Sequence, residues 1–140
     1  MIFVDTGAWI AVTDVSDQYH RQAVKIYSLL KRQRKRFVTT DYVIDETVTR
    51  LKYDAGHPIA LRYLDLLAQA QEKGTLRIVY STEAIFQEAI TVFRRYDTID
   101  ASLTDCVSFV VCQQLEIPYA FSFDKHFPVM GISLYALPNN

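Results

Sequence analysis

Two cysteines, four glycines and four prolines are few for a chain of 140 residues, and each shortage excludes a class of protein. Cys106 and Cys112 stand six apart on one predicted helix. Six helical residues turn through about 600° and rise about 9 Å, so the two thiols face apart and cannot pair. A disulfide-stapled secreted scaffold is excluded, and a reduced, cytoplasmic chain is expected. Glycine and proline are too sparse for a disordered or low-complexity segment. No apolar run approaches the ~20 residues of a membrane span. Only three apolar residues separate Met1 from Asp5, too few for a signal peptide. His20, His57 and His126 are scattered, so no His/Cys cluster has zinc spacing. A net charge of −1 exerts no overall pull on nucleic acid or anionic lipid, so any polyanion must be met by a local patch.

What is present is bulk. Half of the residues are apolar, with eight Phe, nine Tyr and one Trp among them, enough for one domain over residues 1–140 with one sizeable core. Short apolar runs read as strands: Ile2–Val4, Phe37–Thr39, Leu76–Tyr80, Tyr119–Phe123 and a last one around Ile132–Tyr135. Between them lie helical patterns. TGAWIAVTD after Asp5 is a short helix. Ser16 or Asp17 caps a second from about Gln18 to Arg34, with Ala23, Ile26, Tyr27 and Leu30 at helical spacing. Asp41 reads as the cap of a third, Tyr42 to Ala55, closed by Gly56, its apolar stripe being Ile44, Val48, Leu51 and Ala55. His57-Pro58 opens a fourth that Gly74 closes. Ser81 or Thr82 caps a fifth, and the charged turn RRYDTID leads to a sixth, SLTDCVSFVVC (Ser102–Cys112). Every residue of that helix from Cys106 to Cys112 except Ser108 is apolar, which predicts burial in the centre of the molecule.

Strands alternating with helices predict a three-layer α/β/α sandwich around a mainly parallel sheet of about five short strands. Ligands of such sheets bind at the carboxyl ends of the strands. Asp5 and Asp124 directly follow predicted strands and so fall on that edge. Asp105 lies in the first turn of the buried helix, where an ionised carboxylate is costly unless paired.

Each acid also has a plainer explanation. Asp5 suits an N-cap. Ser102-x-x-Asp105 resembles a capping box, and a first-turn carboxylate suits the helix dipole. Glu46 lies roughly opposite the apolar stripe of its helix, beside Tyr42, Thr49 and Tyr53, and can pair with Arg50 at i,i+4. Asp124 can cap the segment that follows it. Jointly, however, four carboxylates from separate elements can converge at one end of the sheet. Left alone they would repel and their pKa values would rise. A hard cation with oxygen ligands removes that penalty, and Mg²⁺ or Mn²⁺ fits an all-carboxylate site.

FVDTGAWIA, IDETVTRL, SLTDCVSFVV and FSFD resemble, in order and rough spacing, the four signatures of PIN-domain ribonucleases. Within that family the chain is most similar to VapC-type toxins of toxin–antitoxin pairs. The resemblance covers nearly the whole chain and assigns the catalytic, metal-holding acids to Asp5, Glu46, Asp105 and Asp124. Thr6 and Thr104 match supporting hydroxyl positions, while Asp100 stays outside the core site. The resemblance implies metal-dependent endonucleolytic hydrolysis of single-stranded or looped RNA, a small antitoxin that blocks the cleft, and a homodimer. Asp5 and Asp105 are expected to be the main metal ligands, with Glu46 and Asp124 acting through water.

An acidic cleft repels RNA, so cations must hold the strand. KRQRKR (Lys31–Arg36) has five in six residues. It is either a solvated helix end or a phosphate-contacting rim with Arg34, Lys35 and Arg36. Arg50, Lys52, Arg94 and Arg95 are further candidates, and Tyr42 and Tyr53 could stack bases. A dehalogenase-type phosphotransferase needs Asp-x-Asp after the first strand, where this chain has Gly7. No G-x-G-x-x-G follows a strand, which disfavours a dinucleotide site. A housekeeping RNA-processing nuclease and a non-catalytic PIN scaffold for RNA or protein remain the alternatives, the latter opposed by retention of all four acids.

Overall fold

The computed structural model describes residues 1–97 and 100–136. Its centre is β1 (Ile2–Val4), whose three residues are all buried. The chain leaves it through α1 (Thr6–Thr13) and α2 (His20–Arg32) to β2 (Phe37–Thr40), then through α3 (Asp41–Ala55) and α4 (His57–Glu72) to β3 (Leu76–Val79). α5 (Glu83–Arg95) and α6 (Leu103–Gln114) carry it back to β4 (Tyr119–Phe121), and α7 (His126–Val129) leads to β5 (Ser133–Leu134). The strand order is β3-β2-β1-β4-β5, with every pairing parallel. The expected α/β architecture with five short strands is therefore observed.

This order decides where a ligand can bind. Connections from β1 run outward to β2 on one side, and the chain later returns to β4 on the other. The reversal opens a crevice at the carboxyl ends of β1 and β4. Asp5 follows β1 directly, and Asp124 comes three residues after β4 ends.

The core is built from the apolar residues of the strands and from α6, where Cys106 through Cys112 are buried without a gap. Ser108 is tolerated there because its hydroxyl donates to Thr104 O at 3.1 Å. Trp9 and Tyr63 are fully buried and meet at 5.6 Å between ring centroids. The Trp9 indole donates to Thr39 Oγ1 at 3.2 Å, and that hydroxyl donates to Val4 O at 3.0 Å. A polar chain thus ties α1 to β2 and β1 inside an apolar core.

Several boundaries differ from the sequence reading, each for a local reason. β2 runs one residue further, so Thr40 rather than Asp41 caps α3, its Oγ1 accepting from Val43 N at 3.1 Å. Asp41 instead accepts from the amides of Tyr42 and Ser81, binding the exit of β3 to the start of α3. α2 begins at His20, because Asp17 Oδ1 accepts from Tyr19 N and forms a turn instead of a cap. It stops at Arg32, two residues before Arg34 enters the left-handed region at φ 57°. Of the two caps the sequence offers for α5, Thr82 is the one used. β4 and β5 are shorter than expected. The inward face of α3 is Val43, Thr47 and Leu51, with Ile44 and Val48 only partly buried. Thr47 can be buried because its hydroxyl returns to Val43 O at 2.7 Å, and this rotation brings Glu46 to the flank of the buried face. Of the RRYDTID turn, residues 98–99 lie outside the described residues.

Candidate active site

An open cleft of about 410 Å³ lies at the carboxyl edge of the sheet, walled by Asp5, Thr6, Gly7, Glu46, Arg50, Asp100, Ala101, Ser102, Asp105, Phe123 and Asp124. The four acids singled out in the sequence all face it. They arrive from the end of β1, the second turn of α3, the first turn of α6 and the loop after β4.

Asp5 is nearly buried, at 5% exposure. It occupies the N-cap position of α1, yet its side chain makes no capping bond. Its Oδ2 instead accepts the Ser122 hydroxyl at 3.0 Å, while its amide donates to Phe121 O at 3.1 Å and holds the residue across the gap between β1 and β4. Burial and the neighbouring Asp105 charge push its carboxyl up to about 7, the Thr6 amide and Ser122 hydroxyl relieve part of the rise, and Asp124 adds to it.

Asp105 fulfils the capping box. Ser102 N donates to its Oδ2 at 2.9 Å, and its own amide donates to Ser102 Oγ at 3.1 Å. Burial raises its pKa, the Ser102 amide opposes the rise, and the charges of Asp124 and Glu46 reinforce it. Oδ1 has no hydrogen-bond donor among the described residues and is left for the cleft.

Glu46 accepts from Thr6 Oγ1 at 3.2 Å and lies 3.8 Å from Arg50 Nη1. The i,i+4 pair expected from the sequence is present. It is half exposed and too long to fix the carboxylate by itself. Asp124 Oδ1 accepts the His126 amide at 2.9 Å, and its own amide donates to Ser122 Oγ at 2.9 Å. Ser122 thus bridges Asp5 and Asp124 through one hydroxyl. Its position after an apolar strand and two residues before an acid was the only sequence signal for that role.

The supporting residues divide. Thr6 lies in the cleft against Glu46. Thr104 does not line it, because its position in the first turn of α6 leaves Ser102 and Asp105 as the groups that face inward. Asp100, set aside in the sequence, is part of the wall. Among the cations of the described residues, Arg50 alone lines the cleft. Lys52 is exposed on α3 away from it. Arg34, Lys35 and Arg36 precede β2, and Arg36 O accepts Ile2 N, which places them at the amino edge of the sheet. The acids lie beyond the other end of these strands, about 13 Å further along for four residues. The KRQRKR run therefore does not rim this cleft. Arg94 and Arg95 end α5, in the turns next to the loop leading into α6. Tyr53 is 81% exposed, and Tyr42 packs against the core and Phe86. The aromatic wall of the cleft is Phe123, stacked on Tyr19 at 4.5 Å with 7° between their planes.

Carboxylates gathered at the switch point of a 3-2-1-4-5 parallel sheet have a counterpart among known proteins: residues 2–132 match the family model of the PIN domain. The chain belongs to the PIN-domain family. It is 30% identical to a VapC ribonuclease of Archaeoglobus fulgidus over 132 residues, 91% of this chain and 81% of the relative. A 23S rRNA-specific endonuclease, VapC20 of Mycobacterium tuberculosis, is 28% identical over 131 residues, covering 94% of this chain and 95% of its own. The crystal structure of that VapC20, described as a sarcin–ricin-loop-cleaving toxin, superposes with a TM-score of 0.83 at 26% identity over 94% of this chain and 96% of that one. VapBC2 of Rickettsia felis, at a TM-score of 0.69 and 10% identity over 96% and 98% of the two chains, shares the fold. These relatives place the PIN domain described here among the VapC ribonucleases.

The residues fit the divalent cation on which PIN nucleases generally depend. The donors are carboxylate oxygens, the ligand type of hard divalent ions. Burial first, and then the charge of neighbouring acids, raises both Asp5 and Asp105, so a positive charge between them would relieve a penalty the protein alone leaves standing. Ligand atoms of Asp105, Asp124 and His126 lie within 4.8 Å of one another. Among the described residues, no helix is long and apolar enough to cross a membrane.

Proposed function

We propose that the chain works as one PIN nuclease domain, a divalent-metal-dependent endoribonuclease using Mg²⁺ or Mn²⁺, and that it is the toxin of a toxin–antitoxin pair. The observation that carries this reading is the convergence of Asp5, Glu46, Asp105 and Asp124 on one cleft, together with relatives named as VapC ribonucleases.

Asp5, Asp105 and Asp124 hold the cation. Asp124 joins the ligand set, instead of acting through water, because its carboxylate lies close to that of Asp105. When bound, the ion supplies Lewis-acid polarisation of a phosphodiester and lowers the pKa of water. Glu46, held by Thr6 Oγ1 and flanked by Arg50, orients the attacking water and accepts its proton at a carboxylate oxygen. Arg50 Nη1 is placed to contact a phosphate oxygen and to offset charge building during hydrolysis. Phe123, backed by Tyr19, offers an unpaired base an apolar wall, a contact worth about 1–3 kcal/mol per stacked base. Such stacking selects loops and single strands over duplex. A small antitoxin silences the protein by covering this cleft.

The test is incubation of labelled RNA with matched preparations of wild type, Asp5→Asn and Asp105→Asn, with Mg²⁺, Mn²⁺ or chelator. Cleavage by wild type only, and only with metal, is expected. Equal degradation by all three would trace the activity to a contaminant and remove the site.

A further inference from the structure

We infer that His126 is a nitrogen donor to the cation held by Asp105 and Asp124, which tilts this PIN centre toward Mn²⁺ and away from Mg²⁺. The inference rests on the metal centre proposed above and adds a residue that the four acidic signatures do not contain.

The local chain makes the placement. Asp124 Oδ1 accepts the His126 amide at 2.9 Å, a turn that folds residue 126 back over residue 124. The ring then lies beside the same carboxylate, its Nδ1 2.7 Å from Asp124 Oδ1. The contact falls short of an aligned hydrogen bond, and Nδ1, shielded from solvent, has no other hydrogen-bond partner among the described residues. A buried ring nitrogen without a partner is uncommon, since burial removes water as an alternative. Phe127 fixes the turn from the other side. It is fully buried and packs its ring 6.0 Å from Phe3 and 5.2 Å from Phe109. His126 is therefore held beside Asp124, a residue of the cleft wall, by an anchored neighbour and a backbone bond.

The spacing suits one ion. One nitrogen of His126 and one oxygen each of Asp105 and Asp124 lie within 4.8 Å of one another. Donors about 2.1 Å from an octahedral ion are about 3.0 Å apart when adjacent and 4.2 Å when opposite, so small side-chain rotations close the set. Mg²⁺ prefers oxygen donors and retained water, whereas imidazole suits first-row transition ions. A mixed carboxylate–imidazole set thus discriminates between the two ions.

Pulsed electron paramagnetic resonance of the Mn²⁺-loaded protein reads this directly. Wild type should show modulation from a directly bonded ¹⁴N, which ¹⁵N-histidine labelling shifts. His126→Gln should keep one Mn²⁺ on the carboxylates but lose the nitrogen signal. Its Mn²⁺ affinity should fall by about tenfold, while its Mg²⁺ affinity changes less than about threefold. Mn²⁺ bound by wild type with no nitrogen coupling would overturn the assignment of His126 and leave the carboxylate centre standing. Failure of wild type to bind Mn²⁺ at all would overturn both. The labelled wild-type spectrum involves no substitution, so a folding defect in the variant cannot obscure the answer.

Discussion

Replacing Asp5 with Asn should make the metal-free protein more stable while abolishing its activity. The side chain is 5% exposed, and its carboxyl rises from an ordinary value of 3.8 to about 7. A group whose folded pKa exceeds its unfolded value contributes stability that is fully present below the unfolded pKa. The contribution is lost as pH climbs through the folded one. The wild-type protein in chelator should therefore lose stability between about pH 4 and pH 7 and level off above. Each tenfold change in proton affinity corresponds to about 1.36 kcal/mol, so the gap sets an upper bound of about 4 kcal/mol. Asn keeps the shape and can accept the Ser122 hydroxyl, but its buried amide hydrogens need partners, which costs about 1–3 kcal/mol if none is found.

A net gain of about 2 kcal/mol above pH 7.5 is the working expectation, and none near pH 4. For a chain of this length that is about 6 °C in Tm. Thermal melts followed by circular dichroism in chelator, at pH 5 and pH 8, give the comparison. If Asp5→Asn melts at or below wild type at pH 8, the claim that this carboxylate is held against its own desolvation is refuted.

Divalent metal should reverse the order. Mg²⁺ or Mn²⁺ should raise the Tm of wild type more at pH 8 than at pH 5.5, because Asp5 and the likewise raised Asp105 bind the ion only when ionised; an equal gain at both values would remove these acids from the ligand set. Arg50→Gln should raise KM for RNA more than it lowers kcat and reduce the salt slope of single-strand binding by about 0.7, the share of one phosphate. The triple change Arg34→Gln, Lys35→Gln, Arg36→Gln should leave cleavage of a short oligonucleotide unchanged, and a loss equal to that of Arg50→Gln would contradict its placement at the far edge. Ser102→Ala removes the hydroxyl that caps α6 and should cost about 1 kcal/mol in a denaturant melt; no loss would show that the cap carries no energy.

The strands, the buried helix and the acids were legible in the sequence because each has a local signature: an all-apolar run, an uninterrupted apolar helix, a carboxylate against an apolar stretch. Boundaries were less so. Asp41 and Thr40 are both good caps, and only the extra residue of β2 pairing with Val79 decides between them. The inward face of α3 turned on a side-chain bond, Thr47 to Val43 O, which hydropathy cannot register. The basic run, open in the sequence between a solvated helix end and a phosphate rim, falls away from the cleft for a topological reason. Its composition announces phosphate affinity, but in a parallel sheet the residues before a strand lie opposite those after it. KRQRKR precedes β2, so strand polarity alone sends it to the far edge. His126 was hidden differently: its role depends on a turn at Asp124 that folds it back on itself, and scattered histidines give no hint of such a fold.

The plain and functional readings of the acids were not true alternatives, and Asp105 shows why. A helix N-terminus favours negative charge through its free amides. One of them, the Ser102 amide, holds Asp105 by Oδ2 in the capping box and fixes its orientation, which leaves Oδ1 without a hydrogen-bond donor among the described residues. The cap supplies the rigidity a ligand needs. Asp5 reaches the same end by the opposite route: it stands where a cap belongs, declines to cap, and is oriented by Ser122 instead. One carboxylate is poised by a helix end and the other by the residue that follows a neighbouring strand, and the two meet because the end of β1 and the first turn of α6 wall the same cleft. A substitution that frees either orientation while keeping the charge should therefore damage metal binding as surely as removing the acid. Ser122→Ala is the sharper case, since one hydroxyl positions both Asp5 and the Asp124 amide. It should lower metal affinity by about tenfold with all four acids intact, and wild-type affinity in that variant would show that the carboxylates need no positioning.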